Sequence, residues 1–499
     1  MVLENPHPQQ IIWAGTALPN PHVPAQSNFG VCVEGNRIVA AGSHQELTDR
    51  YPDTPQKGGD HLLLMPALVN SHDHGRAIGT GSFGIADDLL EIWLLQLGAQ
   101  PTLDPYLAAA FDGLQLLKSG VGTVSHSHNP RNWQTLETEA DQTIQGYRDV
   151  GIRVAFHPPI VDQNPIAYDP EVFHRHLPAN LRSLIEPTDA SSVLSTKDYF
   201  CLCRNLYNRF HDDQQHTVQI HVSPAGGQWC SDPLLLEAVD FAQQHQTRVQ
   251  MHLLETCYQQ QYAYRRWGKS FVQHLDEIGV LGPWLTCAHM VWVDEADLAR
   301  LAERGVGVAH NPSSNLRLRS GIAPIAVMNQ AGINLGIGLD GHGLDDDQDY
   351  LREMRLAWTL GNQPRASSPN LEAQTIWQMG TVGGRRITLG EDIPLGCLAK
   401  NEMADLVLVD WAAIQGMWPL SAPDGLLRRA TRQHVKHVMV NGDWVIWDGQ
   451  SSQVNEGEII DRLQEQLRQQ NIAELEGQAK DNRSLAHYLR SFYAEWDNH

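Results

Sequence analysis

The chain is short of positive charge: 36 lysines and arginines stand against 58 aspartates and glutamates, a formal net charge of -22. Binding to a phosphate backbone draws its affinity from clustered Lys and Arg, so a nucleic-acid polymer is excluded as a partner, while free bases and nucleosides stay open. Cysteine is sparse as well. Seven residues scattered from Cys32 to Cys397, odd in number and without a paired CxxC framework, fit reduced thiols in a cytosol better than a disulfide scaffold. No apolar run approaches the roughly 18 residues of a membrane span. The N-terminal stretch MVLENPHPQQIIWAG lacks the basic region and apolar core of an export signal. The expectation is a cytoplasmic protein with no membrane contact. Low-complexity segments are missing, and the sole internal repetition is an alternation of strand and helix.

That alternation carries the fold class. At 499 residues the chain exceeds one small core. Short apolar runs separated by longer helical stretches predict strands at Leu62–Val69, Gly122–Ser125, Ile152–Phe156, Val218–Ile220, Arg248–Met251, Leu285–Ala288, Gly305–Ala309 and Asn334–Leu339. Repeated β/α units of this kind close into a (β/α)8 TIM barrel of the α/β class. At the ends, Ile11–Ala14, Gly30–Glu34, Arg37–Ala41, Ala404–Asp410, Val435–Val440 and Trp444–Trp447 read as strands, with Gly35-Asn36 and Asn441-Gly442 as hairpin turns. A discontinuous small β-sandwich built from both ends is expected, at 1–64 and 386–455, around a barrel at 65–385. An insertion around 160–215, with a helix over Lys197–Phe210, and a C-terminal helical extension at 456–499 complete the division.

The predicted strands share a phase. Each ends in a polar residue: His72 and His74, His126 with His128, His157, His221, His252, His289, His310 and Asp340. Barrel enzymes collect their catalytic groups at that rim. His72 and His74, spaced i, i+2 at the end of the first strand, point to one side. With His252 and Asp340 they make a candidate site for one divalent ion, Zn²⁺ expected and Fe²⁺ the alternative, open enough to activate a water. Glu255, three residues past His252, stands within reach to shuttle a proton between that water and a leaving group.

The chain then resembles the amidohydrolase superfamily, in particular its cytosine-deaminase-like and triazine (chloro)hydrolase-like branch. The matching residues are Pro66 to His74, Ala86 to Leu94, His252-Leu253-Leu254-Glu255-Thr256, Ala288-His289, His310 to Asn315 with Ser320 to Pro324, and Gly338-Leu339-Asp340-Gly341. The resemblance implies a barrel with a discontinuous β-sandwich and one metal on His72, His74, His252 and Asp340. It also implies a proton shuttle at Glu255, an orienting histidine at His289 and a homo-oligomer. Three departures stand out: Pro66-Ala67 for Pro-Gly, His221 for the lysine that bridges two metals, and Leu316-Arg317-Leu318-Arg319 for Lys-Leu-Gly. The second favours a single ion. Arg319 becomes a candidate for a substrate carboxylate or phosphate, although an exposed loop arginine is the plainer reading. His128 with Asn129, His157, His221, His310 and His342 are further candidates for contact with a small-molecule substrate, and Trp229 and Trp292 for stacking on a flat ring.

The expected chemistry is hydrolytic deamination of a nitrogen heterocycle: activated water attacks an sp² carbon, Glu255 relays the proton, Asp340 and His289 assist, and ammonia or an amine leaves. Hydrolysis of an amide, carbamate or halide on the same scaffold is the alternative. A non-catalytic assembly protein is disfavoured, because all four proposed ligands and Glu255 are present.

Overall fold

A computed structural model of the chain describes residues 9–76, 78–164, 166–182, 184–185 and 194–498. Part of the 160–215 insertion therefore lies outside the described residues. Eight parallel strands form one sheet: β1 (Leu68–Asp73), β2 (Val121–Ser127), β3 (Arg153–His157), β4 (Val218–Ile220), β5 (Val249–Leu253), β6 (Leu285–His289), β7 (Gly307–His310) and β8 (Asn334–Ile337). Ile337 in β8 pairs with Asn70 in β1. The seam between β4 and β5 is closed by Val222 and Arg248, whose N–H and carbonyl groups bond at 3.1 Å. The barrel is thus complete, and its strands are buried on both faces, which is why they read as unbroken apolar runs.

The run Leu62–Val69 is not one strand as expected but two. The strand Gln56–Pro66 belongs to a different sheet, pairing antiparallel with Leu406–Asp410, and β1 begins only at Leu68. Ala67 donates its N–H to the Asp405 carbonyl at 3.0 Å, and Leu68 donates to the Gly120 carbonyl at 2.9 Å. The chain changes sheets between those two residues. Pro66, which has no N–H to give, stands at the end of the first ladder.

That second sheet joins the two chain ends. Its eight strands run in the order 450–451, 443–447, 435–440, 406–410, 56–66, 10–17, 26–34 and 37–43. Period-two alternation divides its faces. Leu62, Leu64, Leu406 and Leu408 enter a core of their own with Ile12 and Val31, whereas Leu63, Met65, Val407 and Val409 join the barrel's core. The Asn441-Gly442 turn has φ of 52° and 86°, the positive values that a two-residue hairpin turn of this hand requires. Arg153 of β3 fastens the sheet to the barrel through Asp405, its Nε and Nη2 lying 3.2 and 3.0 Å from the carboxylate with both side chains buried.

The C-terminal extension is a pair of helices, Glu456–Arg468 and Ile472–Ala494. They are more than surface helices. The second buries Leu485, Leu489, Phe492 and Tyr493. Phe492 meets Phe173 edge to face at 5.6 Å, and the Tyr493 hydroxyl accepts the Tyr168 N–H at 3.3 Å, so the tail clamps the segment that follows β3.

Candidate functional site

His72, His74, His252 and Asp340 meet at the C-terminal end of the barrel, their ligand atoms all within 4.8 Å of one another. They form the one such cluster among the described residues. His72 and His74 leave the end of β1 on the same side, and His252 comes from β5. Asp340 follows β8 with φ of 59°, and its N–H bonds to the His72 carbonyl at 3.0 Å. The two segments touch closely. A Cβ on Gly338 would fall 2.7 Å from the His72 carbonyl oxygen, so glycine is required there. His289 ends β6 at φ of 76°, and Leu254 after β5 has φ of 51°; left-handed backbone thus gathers at the rim that aims these groups.

Each histidine has one ring nitrogen committed. Nδ1–H of His72 donates to Gln250 Oε1 at 2.9 Å, that of His74 to the Ser127 carbonyl at 2.7 Å, and that of His252 to the Ala225 carbonyl at 2.5 Å. All three acceptors are carbonyl-type oxygens, so Nδ1 carries the proton and Nε2 turns its lone pair inward. His74 Nε2 lies 3.2 Å from His252 Nε2 and 3.1 Å from Asp340 Oδ1, while His72 Nε2 lies 3.3 Å from the same oxygen. His72 Nε2 and Asp340 Oδ1 are buried without a hydrogen-bond partner. Converging lone pairs, orphaned acceptors and outward hydrogen bonds that fix each ring are what a divalent ion needs, and the donor set fits one. Burial holds His74 down near pKa 4 and His252 well below its ordinary value, so both rings are neutral and able to ligate. Asp340 stays ionised: burial pushes its pKa up, but the His72 and His74 imidazoles beside it outweigh that and bring it well below the usual carboxylate range.

Glu255 and His289 flank this cluster. Glu255 Oε2 lies 3.6 Å from His289 Nε2, which is 4.0 Å from Asp340 Oδ2. Burial, then the charges of Asp340 and Glu91, raise the Glu255 carboxyl well above its ordinary range. His289 directs Nδ1–H to Asn315 Oδ1 at 2.8 Å, leaving Nε2 free, and burial lowers its pKa to about 4. Ser314 donates its hydroxyl to Asp340 Oδ2.

A cavity of about 820 Å³ opens above these groups, and His74, His252, Glu255, His289 and Asp340 line it. Of the substrate-contact candidates, His128 with Asn129 and Trp229 line it too. The others do not. His157 lies behind the cluster, its Nε2 2.9 Å from Ser125 Oγ, which bonds to Gln250 and through it to His72. His221 Nδ1 accepts the Arg248 N–H at the barrel seam. His310 is buried in the barrel interior, and His342 packs edge-on behind Trp93 at 5.2 Å. Arg319 projects outward, its side chain 59% exposed and 3.5 Å from Asp88, and Trp292 donates Nε1–H to the Ser320 carbonyl. Strand-end phase alone predicts the rim; it does not tell an inward histidine from one turned into the wall.

Three contributors were not foreseen. Gln250 sits two residues before His252 on β5, and strand period would have placed it on the same face. Arg76, two beyond His74, donates to the Asp340 carbonyl at 2.7 Å and lies 4.9 Å over the Trp93 ring. Glu139 faces His128 at 3.7 Å from a helix that no local pattern connects to the site.

Comparison with known proteins gives the same placement. The model of the amidohydrolase family matches residues 63–445. A 5-methylthioadenosine/S-adenosylhomocysteine deaminase of Thermodesulfovibrio yellowstonii is 28% identical over 447 residues, 87% of this chain and 92% of that protein. Among solved structures, a zinc-bound adenosine deaminase from Xanthomonas campestris superposes with a TM-score of 0.77 at 24% identity, covering 92% of this chain and 98% of the other. A variant atrazine chlorohydrolase of Arthrobacter aurescens TC1, complexed with zinc and atraton, gives 0.80 at 20% identity over 92% and 100%.

Proposed function

The chain belongs to the amidohydrolase family, and from that premise we propose that it is a zinc-dependent deaminase of an aminated nitrogen heterocycle, a small molecule of the adenine-nucleoside kind. The observation that carries the reading is the inward-facing Nε2 set of His72, His74 and His252 with Asp340, beneath a cavity into which Glu255 also faces. The named activity of the 28% identical relative supports the leaving group, and the zinc in the Xanthomonas structure supports the choice of ion over ferrous iron.

A divalent ion held by those four residues would supply Lewis acidity that lowers the pKa of a water. The remaining chemistry is proton traffic on side chains. Glu255 Oε2, whose proton affinity is raised by burial, accepts a proton from the attacking water and passes it to the ring nitrogen. His289 Nε2, fixed by its Nδ1–H bond to Asn315, orients the water, and Asp340 Oδ2, with Ser314 beside it, takes the second proton towards the departing amine. One water is consumed; C–NH2 becomes C=O and ammonia leaves. His128 and Trp229 bound the bound ring.

All seven cysteines are free, as a reducing cytoplasm keeps them, and no helix among the described residues is long and apolar enough to cross a membrane. A homo-oligomer is part of the reading by resemblance. The test is ammonia release by the zinc-loaded protein across aminated purines, pyrimidines, pterins and triazines, with metal-stripped protein as control. Metal-dependent release is expected from adenine nucleosides. Silence across the panel with zinc bound would turn the assignment to amide or halide hydrolysis.

A further inference from the structure

The cavity is larger than a heterocycle and its two halves differ. The inner half carries the cluster and Glu255. The outer half is walled by Phe83, Leu94, Leu97, Leu103 and Trp133, apolar side chains that stay partly exposed although a core lies directly behind them. Leu94 and Leu97 come from the helix Leu90–Leu97, Leu103 from the loop before the helix Pro105–Lys118, and Trp133 from the 3-10 turn Trp133–Thr135 that follows β2. Apolar surface left open inside a concave site is surface that a ligand covers.

The charges around it point the same way. Two guanidinium groups reach the cavity, and both are engaged. Arg131 donates from Nη1 to the Leu97 carbonyl at 3.3 Å and from Nη2 to the Gln100 carbonyl at 2.8 Å. Arg76 donates to the Asp340 carbonyl and rests on Trp93. Glu139 and Asp162 also line the cavity, so a carboxylate entering it would meet two acids and no cation that is not already hydrogen-bonded among the described residues.

We propose that the outer half of the cavity is a subsite for an uncharged, apolar substituent, so that the substrate is an aminated heterocycle bearing an alkyl, aryl or thioether tail and not one ending in a carboxylate. The inference rests on the deaminase reading and narrows it. The relative named above acts on S-adenosylhomocysteine as well as methylthioadenosine. The first of these ends in an amino acid, whose carboxylate would find no cation in this cavity that is not already hydrogen-bonded.

The experiment uses matched pairs: 5′-alkylthioadenosines from methyl to butyl, and the analogues of equal length ending in a carboxylate. kcat/KM is followed by ammonia release from the zinc-loaded protein, and equilibrium binding by calorimetry on zinc-loaded Glu255→Gln. Each methylene should raise kcat/KM about fourfold until the wall is covered. The terminal carboxylate should lower it roughly a hundredfold, because the charge is desolvated without a partner. Leu97→Arg should narrow that gap by about tenfold, and calorimetry on Glu255→Gln should give the same order of affinities. A flat alkyl series, or carboxylates bound as well as their alkyl partners, would overturn the subsite. No ammonia from any compound, with the binding order kept, would overturn the reaction and leave the subsite standing. Loss of both would remove both.

Discussion

Glu255 is the residue on which the chemistry turns, since it is the carboxyl at the cavity floor that no ligand role claims. Glu255→Gln removes the proton acceptor and keeps the volume. Zinc content by atomic absorption should stay stoichiometric while kcat falls by roughly 10²–10⁴; unchanged turnover would take Glu255 out of the mechanism. Gln250 acts one layer further out. It holds His72 Nδ1 and is itself held by Ser71 and Ser125 at 3.0 Å. Gln250→Ala frees the ring, and zinc affinity measured by chelator competition should drop about 10–100-fold with a smaller change in kcat once zinc is saturating. The sequence disclosed the ligand quartet because three strand ends carried it in one phase. It did not disclose which rim histidines turn away, because His157, His221 and His310 satisfy the same pattern while their rings are buried outside the cavity lining.

The strand that hands the chain from one sheet to the other belongs to the next scale. Leu62–Val69 reads as one apolar segment, since both sheets bury both of its faces, and nothing in hydropathy marks the break at Ala67; only Pro66 hints at it. The other barrel strands were legible to within a few residues, because helices cover the outside of a parallel sheet and leave each strand apolar throughout. The junction has a testable weak point. Arg153 is fully buried and its guanidinium depends on Asp405, which also accepts the Asn441 N–H at 2.8 Å. Asp405→Ala strands that charge and should cost about 3–5 kcal/mol in urea denaturation, with Asp405→Asn less damaging. Zinc binding by the folded fraction should be unchanged, because neither residue approaches the cluster.

At the scale of the molecule, the barrel's open end is held by pieces distant in sequence. Glu91 Oε1 accepts from the hydroxyls of Tyr168 at 2.9 Å and Thr256 at 2.6 Å, beside Glu255, and Tyr168 is in turn held by Tyr493 of the last helix. The composition of residues 456–499 announces helices but not where they dock, since a docking face is defined by its partner. Leu489→Ala, at a fully buried position of that helix, should lower stability by about 2–5 kcal/mol in thermal or chemical melts. A loss under about 0.5 kcal/mol would mean that the helix is not packed in solution as it is here.

The shared sheet sets a timetable for biosynthesis. Asn36 bonds to Asn441 across 405 positions, and the strand Gln56–Pro66, paired early with Gln10–Ala17, finds its second partner only when Leu406–Asp410 has left the ribosome. At roughly 5–20 residues per second, the first-made strands wait on the order of tens of seconds with an unpaired edge. Until then the nascent chain carries an open edge prone to pairing with other chains, and holdase chaperones that cover the first sixty or so residues should raise the soluble yield more than those that act after termination.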